Sequence, residues 1–192
     1  MTSLLALILS YVIGSVPTGL WLGKKLRGID IREHGSKNIG ATNTMRVLGK
    51  KLGAVALAGD AGKGVVAVLL FGRIGSWEYL PIACGLAAVT GHLASVFLRF
   101  RGGKGVATGA GVFLALCPIP TLIAAVVFAS VVATTRMVSA GSISASIALC
   151  AALCAVPATW PLRMIAFAVA LLIIWKHRSN IGRILKGNEN KI

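Results

Sequence analysis

Two glycine-rich polar segments carry residue types that bind anions. The first, residues 35–46, alternates small residues with hydroxyl and amide side chains and ends on Arg46. Glycines let backbone N–H groups approach an anion closely, hydroxyl and amide groups add donors, and a planar guanidinium suits a phosphate. A flexible polar loop joining two helices would have the same composition, so this segment alone leaves both interpretations open.

The second segment, residues 99–108, contains Gly102-Gly103-Lys104-Gly105 where an apolar run begins. A helix N-terminus there would offer backbone N–H groups and the positive end of the helix dipole, to which Lys104 adds a charge. The P-loop spacing G-x-x-x-x-G-K-[ST] is absent because Thr108 does not directly follow Lys104, so no nucleotide is predicted. The alternative is an ordinary helix start with basic residues at lipid headgroups.

A third polar segment, residues 177–183, follows the last apolar run. His177, Asn180 and Arg183 recur at three-residue steps, which places them on one side if the helix continues. Taken alone, a histidine at this position is an ordinary interfacial residue. Together, the three segments indicate a protein that handles phosphorylated molecules.

The chain that must position these segments is too apolar for a soluble domain. Its 192 residues are 56% hydrophobic and only 13% charged, whereas soluble domains have about 25% charged residues. The net charge of +15 would suit nucleic acid, but the basic residues interrupt apolar runs instead of covering a polar face. We expect one polytopic membrane domain over residues 1–192, and we exclude a soluble nucleic-acid-binding domain, a disordered tail and a secreted disulfide scaffold.

Seven apolar stretches are candidates for transmembrane helices, which need about 20 residues to cross a bilayer. They are residues 3–23, 52–72, 79–98, 105–116, 119–135, 137–156 and 165–175. The fourth and seventh are short and must tilt or borrow flanking residues, and a count of six applies if 105–116 is re-entrant. Breaks are expected at Pro118, Pro120, Pro157 and Pro161.

The basic residues predict the orientation. With the N-terminus outside and the C-terminus in the cytoplasm, every Lys and Arg except Lys63, Arg73 and Arg163 lies in a cytoplasmic segment, as the positive-inside rule requires. The three polar segments then share the cytoplasmic face. The first apolar run has no basic region before it, so we expect an anchor and not a cleaved signal.

A few polar side chains fall within the apolar runs. Asp60 and Lys63 are three residues apart and are expected to pair, holding helices together. His92 either orients the second glycine-rich segment or satisfies a helix end. Cys84, Cys117, Cys150 and Cys154 lack metal-site spacing, so neither a disulfide nor a metal is predicted.

Four ordered motifs resemble the bacterial acyl-phosphate:glycerol-3-phosphate acyltransferase (PlsY) family. They are Gly14-Ser15-Val16-Pro17-Thr18-Gly19, the 35–46 segment, Gly91-His92 followed by Phe97 and 102–108, and the tail 177–189. The resemblance runs nearly end to end. It departs at Ser95, where the family usually has proline, and this difference affects the expected local bend of the third predicted helix.

The resemblance implies an all-α enzyme with seven transmembrane helices in the bacterial inner membrane, with its active site facing the cytoplasm. Such enzymes transfer a fatty acyl group from acyl phosphate to the 1-hydroxyl of glycerol 3-phosphate in phospholipid biosynthesis. Lysophosphatidic acid and inorganic phosphate are the products. The implied partners are the two substrates, membrane lipid and an acyl-phosphate-forming enzyme, with no cofactor, metal or nucleic acid.

An acyl phosphate has an activated carbonyl and a good leaving group, so an acyl-enzyme is unnecessary. None of His34, His92 and His177 has an aspartate five positions later, and no G-x-S-x-G motif is present. We therefore predict direct attack by the glycerol hydroxyl, with catalysis by positioning and electrostatic stabilisation. The proton passes to the leaving phosphate or to His177.

The predicted site residues divide into two groups. The expected catalytic residues are Ser36, Arg46, Lys104, His177 and Asn180, of which all but Asn180 contact phosphates. The expected substrate-binding residues are Asn38, Gly40, Thr42, Asn43, Gly102, Gly103 and Ser142.

Two other functions use the same basic residues. A small carrier of phosphate esters is one, but carriers often have internal repeats with interrupted helices at the midplane, and we find no repeat. A structural membrane subunit is the other, and it leaves the glycine-rich segments unexplained.

Overall fold

The computed structural model describes all 192 residues, which form helices and their connections. The predicted all-helical class is confirmed. The helices are α1 (Thr2–Ser15), α2 (Thr18–Arg27), α3 (Ala41–Leu48), α4 (Lys50–Leu69), α5 (Leu80–Leu93), α6 (Val106–Leu116), α7 (Pro118–Thr135), α8 (Val138–Ala155), α9 (Trp160–Lys176) and α10 (Arg178–Leu185). The four cysteines are free thiols.

The chain forms two compact units. The first, Met1–Leu116, contains α1 to α6, and the second, Cys117–Ile192, contains α7 to α10. In the first unit α5 packs on α1 and α4 packs on α6, while in the second α8 packs on both α7 and α9.

Four helical segments are long and apolar enough to cross a membrane: Lys50–Arg73, Leu80–Leu98, Pro118–Thr135 and Val138–Ala155. Two bent pairs raise the number to six if each pair forms one span, α1 with α2 and α9 with α10. The remaining apolar helix, Val106–Leu116, is shorter. Each predicted stretch therefore contains helical structure, and the count of seven spans stays a prediction.

The first apolar run is bent, which sequence reasoning missed. α1 ends at Ser15, α2 begins at Thr18, and the two helices differ in direction by 47°. Pro17 lies between them. Because proline lacks the N–H that continues a helix, the run cannot remain one straight rod.

The last apolar helix begins at Trp160, five residues before the predicted start at Ile165. Arg163 interrupts the apolar run in the sequence, yet it lies inside α9. Its Nε donates to the carbonyl of Leu153 (3.2 Å) and its Nη2 to that of Val156 (3.2 Å). These carbonyls belong to the end of α8, where the helix leaves them without partners.

Glycines allow close approach between helix backbones in the first unit. A Cβ at Gly14 of α1 would overlap the backbone of Ala88 in α5, and a Cβ at Gly91 of α5 would overlap the Tyr11 carbonyl of α1. Small residues at helix crossings are the usual means of close packing in membranes. Glycines in two of the family-like motifs therefore serve the fold.

We expect Gly64→Ala to destabilise the protein by about 1–3 kcal/mol, because overpacking a tight contact costs that much. A Cβ at Gly64 of α4 would overlap the Thr108 carbonyl of α6. Gly62→Ala is the matched control, since Gly62 lies on the same helix and a Cβ there would meet open space. Thermal unfolding in detergent measures both, and equal melting temperatures would contradict the close α4–α6 contact.

Ser95 takes over the backbone geometry expected of a proline. Its φ of −67° is close to the value that a proline ring imposes. Its buried hydroxyl donates to the carbonyl of Ser15 (2.5 Å), and its carbonyl accepts the N–H groups of Leu98 (3.0 Å) and Phe100 (2.8 Å). The bend after α5 therefore forms without the proline.

Candidate active site

The first predicted segment is a fixed loop built around Asn43 at the start of α3. The buried Nδ2 of Asn43 lies 2.8 Å from the carbonyl oxygen of Ile31, 2.9 Å from that of Asn38 and 3.2 Å from that of His34. Its Oδ1 accepts the backbone N–H of Ser36 (2.8 Å). The amide of Asn43, predicted to contact substrate, is thus engaged in shaping the loop.

Other residues of this segment also fix its shape. Gly35 has a φ of +59°, and a Cβ there would overlap Oδ1 of Asn43. Asn38 Oδ1 accepts the N–H of Gly40 (2.9 Å), which precedes α3. The flexible-loop interpretation therefore does not describe this segment.

The remaining predicted donors of the segment lie nearer its surface. Ser36 and Arg46 are exposed, and Thr42 is half-buried in the first turn of α3.

An ion-pair cluster holds the chain just before this loop. Asp30 accepts bonds from Arg32 Nη2 (2.6 Å) and Nε (2.9 Å) and pairs with Lys24 Nζ (3.2 Å). The Arg32 guanidinium holds the pKa of the Asp30 carboxyl well below its usual range. This carboxylate is therefore ionised at neutral pH.

The glycine-rich loop of the second segment is attached to the end of α5. The N–H of Gly102 donates to the carbonyl of Leu93 (3.1 Å), and the N–H of Gly103 donates to that of His92 (3.0 Å). The sequence predicts these N–H groups as anion donors. They instead satisfy the last carbonyls of α5, which have no partner within the helix.

The start of α6 keeps the features of an anion site. Lys104 is half-buried two residues before the helix, and the first N–H groups of any helix lack partners within it. Thr108 Oγ1, in the first turn, is buried and has no hydrogen-bond partner. Donors and positive charge thus meet at one helix end.

A basic groove lies beside this loop in the first unit. It encloses about 500 Å³ and is lined by Arg32, Phe97, Leu98, Arg99 and Arg101. Guanidinium groups around such a groove raise the local concentration of anions.

In the second unit, Glu189 organises the polar tail. Its Oε1 accepts Asn180 Nδ2 (2.6 Å) and Ser139 Oγ (2.8 Å), and its Oε2 accepts Arg183 Nε (2.7 Å). Burial raises the pKa of the Glu189 carboxyl, but the bonds from Asn180, Ser139 and Arg183 outweigh it, so the pKa lies below its ordinary value. The carboxylate therefore fixes one side chain of α8 and two of α10.

We expect Glu189→Gln to lower the free energy of unfolding by about 1–2 kcal/mol near neutral pH, because hydrogen bonds to charged groups are lost. A carboxyl whose folded pKa is lowered stabilises the protein above its ordinary pKa of 4.5, and this contribution disappears as the pH falls through the folded pKa. Melting temperatures of the two proteins should therefore converge below about pH 4.5. A difference independent of pH would contradict the role of the charge.

The last helix does not continue straight past His177, so the condition under which His177, Asn180 and Arg183 would share one helix face is not met. α9 ends at Lys176, and α10 departs from it by 57°. Asn180 and Arg183 still share a side, because both reach Glu189.

His177 is buried at this bend, and its protonation pattern follows from its contact. Nδ1 lies 2.8 Å from the Ile173 carbonyl oxygen. A carbonyl only accepts, so Nδ1 carries a proton and Nε2 is the ring atom that accepts one.

Ser142 lies on the same face of α8 as Ser139. Its hydroxyl donates to the Val138 carbonyl (2.8 Å), and its oxygen can still accept a hydrogen bond.

Sequence reasoning missed Glu189 and Ser139. The signal for Glu189 was present, since it is the only acidic residue after Glu78 and lies among the basic residues of the tail. Ser139 gave none, because a serine in an apolar helix is ordinary.

Comparisons with known proteins identify the family of the chain. The family model described as glycerol-3-phosphate acyltransferase matches residues 4–187. A glycerol-3-phosphate acyltransferase of Trichlorobacter lovleyi is 48% identical over 95% of this chain and 93% of the relative. One from Desulforudis audaxviator is 47% identical over 98% of this chain and 94% of the relative.

Two solved structures share the fold. One is PlsY (YgiH), an integral membrane glycerol 3-phosphate acyltransferase, in its glycerol 3-phosphate form, with a TM-score of 0.94 and 37% identity. The other is the lysophosphatidic acid form, with a TM-score of 0.91 and 36% identity. Each covers 100% of this chain and 96% of its own.

Proposed function

Because the chain belongs to the glycerol-3-phosphate acyltransferase family, we propose that it transfers a fatty acyl group from acyl phosphate to the 1-hydroxyl of sn-glycerol 3-phosphate. The products are lysophosphatidic acid and inorganic phosphate. The observation that carries the proposal is the pair of forms of the solved relative, whose bound molecules correspond to the acceptor and the product of this reaction.

The choice of acyl phosphate as donor rests on what the chain offers for catalysis. It has neither the H-x-x-x-x-D nor the G-x-S-x-G arrangement. A mixed anhydride needs neither, because its carbonyl is activated and phosphate leaves readily. The glycerol oxygen bonds to the acyl carbon while the acyl–phosphate C–O bond breaks, and the hydroxyl proton passes to the departing phosphate or to Nε2 of His177.

In the first unit, Lys104 and the first turn of α6 bind a substrate phosphate. The exposed Ser36 and Arg46 contact phosphate oxygens, with Thr42 as a further donor. Asn43, with Asn38 and Gly40, shapes the loop that carries Ser36, as its hydrogen bonds indicate. Gly102 and Gly103 contribute because, lacking side chains, they let the loop backbone approach the substrate closely. Their N–H groups do not bind the substrate, since they donate to carbonyls of α5.

In the second unit, His177 contacts a substrate phosphate or accepts the hydroxyl proton, and Asn180 donates a hydrogen bond to the developing negative charge. Ser142 makes a further polar contact with the substrate. Glu189 holds Asn180 in one orientation through the 2.6 Å bond from its amide. A fixed donor stabilises developing negative charge without reorganisation during the reaction.

We further propose a single membrane-embedded domain with seven spans in the bacterial inner membrane, with the N-terminus outside and the C-terminus and active site in the cytoplasm. Its support is the concentration of basic residues in alternate connections. Because acyl phosphates are reactive, supply by an acyl-phosphate-forming enzyme near the membrane fits this activity.

The test is an assay of purified protein with radiolabelled glycerol 3-phosphate and either acyl phosphate or acyl-CoA. Labelled lysophosphatidic acid formed in detergent from acyl phosphate alone supports the proposal. Product formed from acyl-CoA would reject the proposed donor. Uptake of label into liposomes without lipid product would indicate a carrier.

A further inference from the structure

A buried chain of polar groups next to the glycine-rich loop has no part in the chemistry above. Asp60, Lys63 and His92 are 1%, 4% and 4% exposed. Lys63 Nζ lies 2.8 Å from Asp60 Oδ1, which confirms their predicted pairing. The same Nζ lies 2.8 Å from His92 Nδ1 and 3.0 Å from the Val16 carbonyl oxygen.

These contacts determine which ring nitrogen of His92 carries the proton. An ammonium group has three N–H donors and no acceptor. With Lys63 charged in its pair with Asp60, all three are used, so Nδ1 of His92 accepts from Lys63 and the proton of the neutral ring lies on Nε2. Thr18 Oγ1 donates to Asp60 Oδ1 (3.0 Å) and holds the carboxylate in place. His92 and His177 therefore have opposite tautomers.

His92 meets the glycine-rich loop at two points. Its carbonyl accepts the N–H of Gly103, and its ring lies so close that a Cβ at Gly103 would overlap Nε2. Gly103, the loop residue next to Lys104, therefore packs against the His92 imidazole, whose orientation is set by Lys63.

Holding helices together does not require this arrangement. Replacement of a buried ion pair by well-packed apolar residues is often neutral or stabilising, so the pair is weak evidence for a stabilising role. What an apolar replacement cannot supply is a fixed imidazole tautomer with its N–H against the loop.

We propose that Asp60, Lys63 and His92 form a positioning network that fixes the His92 tautomer and, through it, the shape of the loop at residues 102–105 that receives a substrate phosphate. The three residues are positioning residues and do not touch the reacting atoms. The identity of the ligand rests on the proposed function, whereas the tautomer and its control by Lys63 do not.

Two replacements of His92 separate positioning from structural support. In His92→Asn, the amide oxygen lies where Nδ1 was and accepts from Lys63, but nothing replaces Nε2. In His92→Gln, the longer side chain places its amide near Nε2 and leaves Lys63 without that acceptor. The pair therefore removes one end of the imidazole at a time.

We expect His92→Asn to keep a melting temperature near that of the parent protein. It should raise KM for one of the two phosphate substrates about tenfold, because the loop at residues 102–105 loses its support, an effect comparable to one hydrogen bond. Its kcat and the other KM should stay within about threefold. His92→Gln should lower the melting temperature and raise that KM less. Loss of folded protein alone would lower apparent kcat at unchanged KM. Parental KM values in His92→Asn would overturn the proposal.

A second readout does not depend on activity. In protein labelled with 15N-histidine, imidazole shifts distinguish protonated from unprotonated nitrogens, and the His92 signals are those lost in His92→Asn. We expect a protonated Nε2 and an unprotonated Nδ1, and a mixture of tautomers in Asp60→Asn/Lys63→Met. A protonated Nδ1 in the parent, or an unchanged pattern in the double variant, would overturn the proposal. If the parent forms no lipid from acyl phosphate, the proposed function fails, while these spectra still decide the network.

Discussion

Lys104→Met is expected to reduce kcat/KM by about 10²–10³-fold, the usual cost of removing one group that stabilises transition-state charge. The side chain is half-buried two residues before α6, where, in the proposed function, helix N–H groups and its charge bind the same phosphate. Methionine keeps most of the length and removes only the ammonium. Steady-state assay of purified protein with acyl phosphate and glycerol 3-phosphate gives the ratio.

Lys51→Met controls for the loss of one positive charge. Lys51 is exposed at the start of α4, outside the proposed site, and we expect its activity to stay within about twofold of the parent, as for a screened surface charge. Both variants should melt near the parental temperature. Near-normal turnover in Lys104→Met would contradict the proposal that the glycine-rich loop is part of the active site.

Asn180→Ala is expected to lower kcat by about 10²-fold, because a fixed donor near developing negative charge is lost. Its amide donates to Glu189 at 2.6 Å, so its orientation is set before substrate arrives. A donor acting only in the transition state changes kcat and kcat/KM equally. Measurement of both parameters therefore distinguishes this role from ground-state binding.

Ser139→Ala is the matched control for Asn180→Ala. Ser139 donates to the same Glu189 oxygen at 2.8 Å, yet we assign it no contact with substrate. Its loss should reduce stability by about 1 kcal/mol, the usual net value of a hydrogen bond, with a small effect on kcat. Equal losses of activity in the two variants would mean that Asn180 acts only by supporting Glu189.

The helices were predictable because their signal is local. An apolar run of sufficient length forms a helix in a bilayer whatever surrounds it, since its backbone groups must bond internally. The Asp60–Lys63 pair was predictable for the same reason, as residues three apart meet on any helix. The start of α9 was misplaced because Arg163 interrupts the apolar run, while its real partners lie at the end of α8.

The sequence shows which residue types make up the candidate site, but not the contacts that each residue makes. The glycine-rich segments stand out by composition, whereas the partners of each N–H depend on tertiary contacts that spacing does not contain. Gly102 and Gly103 donate to α5, and Asn43 holds its own loop. Glu189 was missed because its three donors come from Ser139, Asn180 and Arg183, which are distant or unremarkable in sequence.

The location of Asp60 and Lys63 on one helix bears on how the protein is made. A lone lysine or aspartate at the centre of a nascent segment costs about 2.5–3.5 kcal/mol during translocon-mediated insertion. Here the partners are separated by a single turn of α4 and bonded at 2.8 Å, so the segment emerging from the ribosome neutralises itself. It can therefore enter lipid before α5 has been synthesised, and assembly need not wait for the histidine that later completes the cluster.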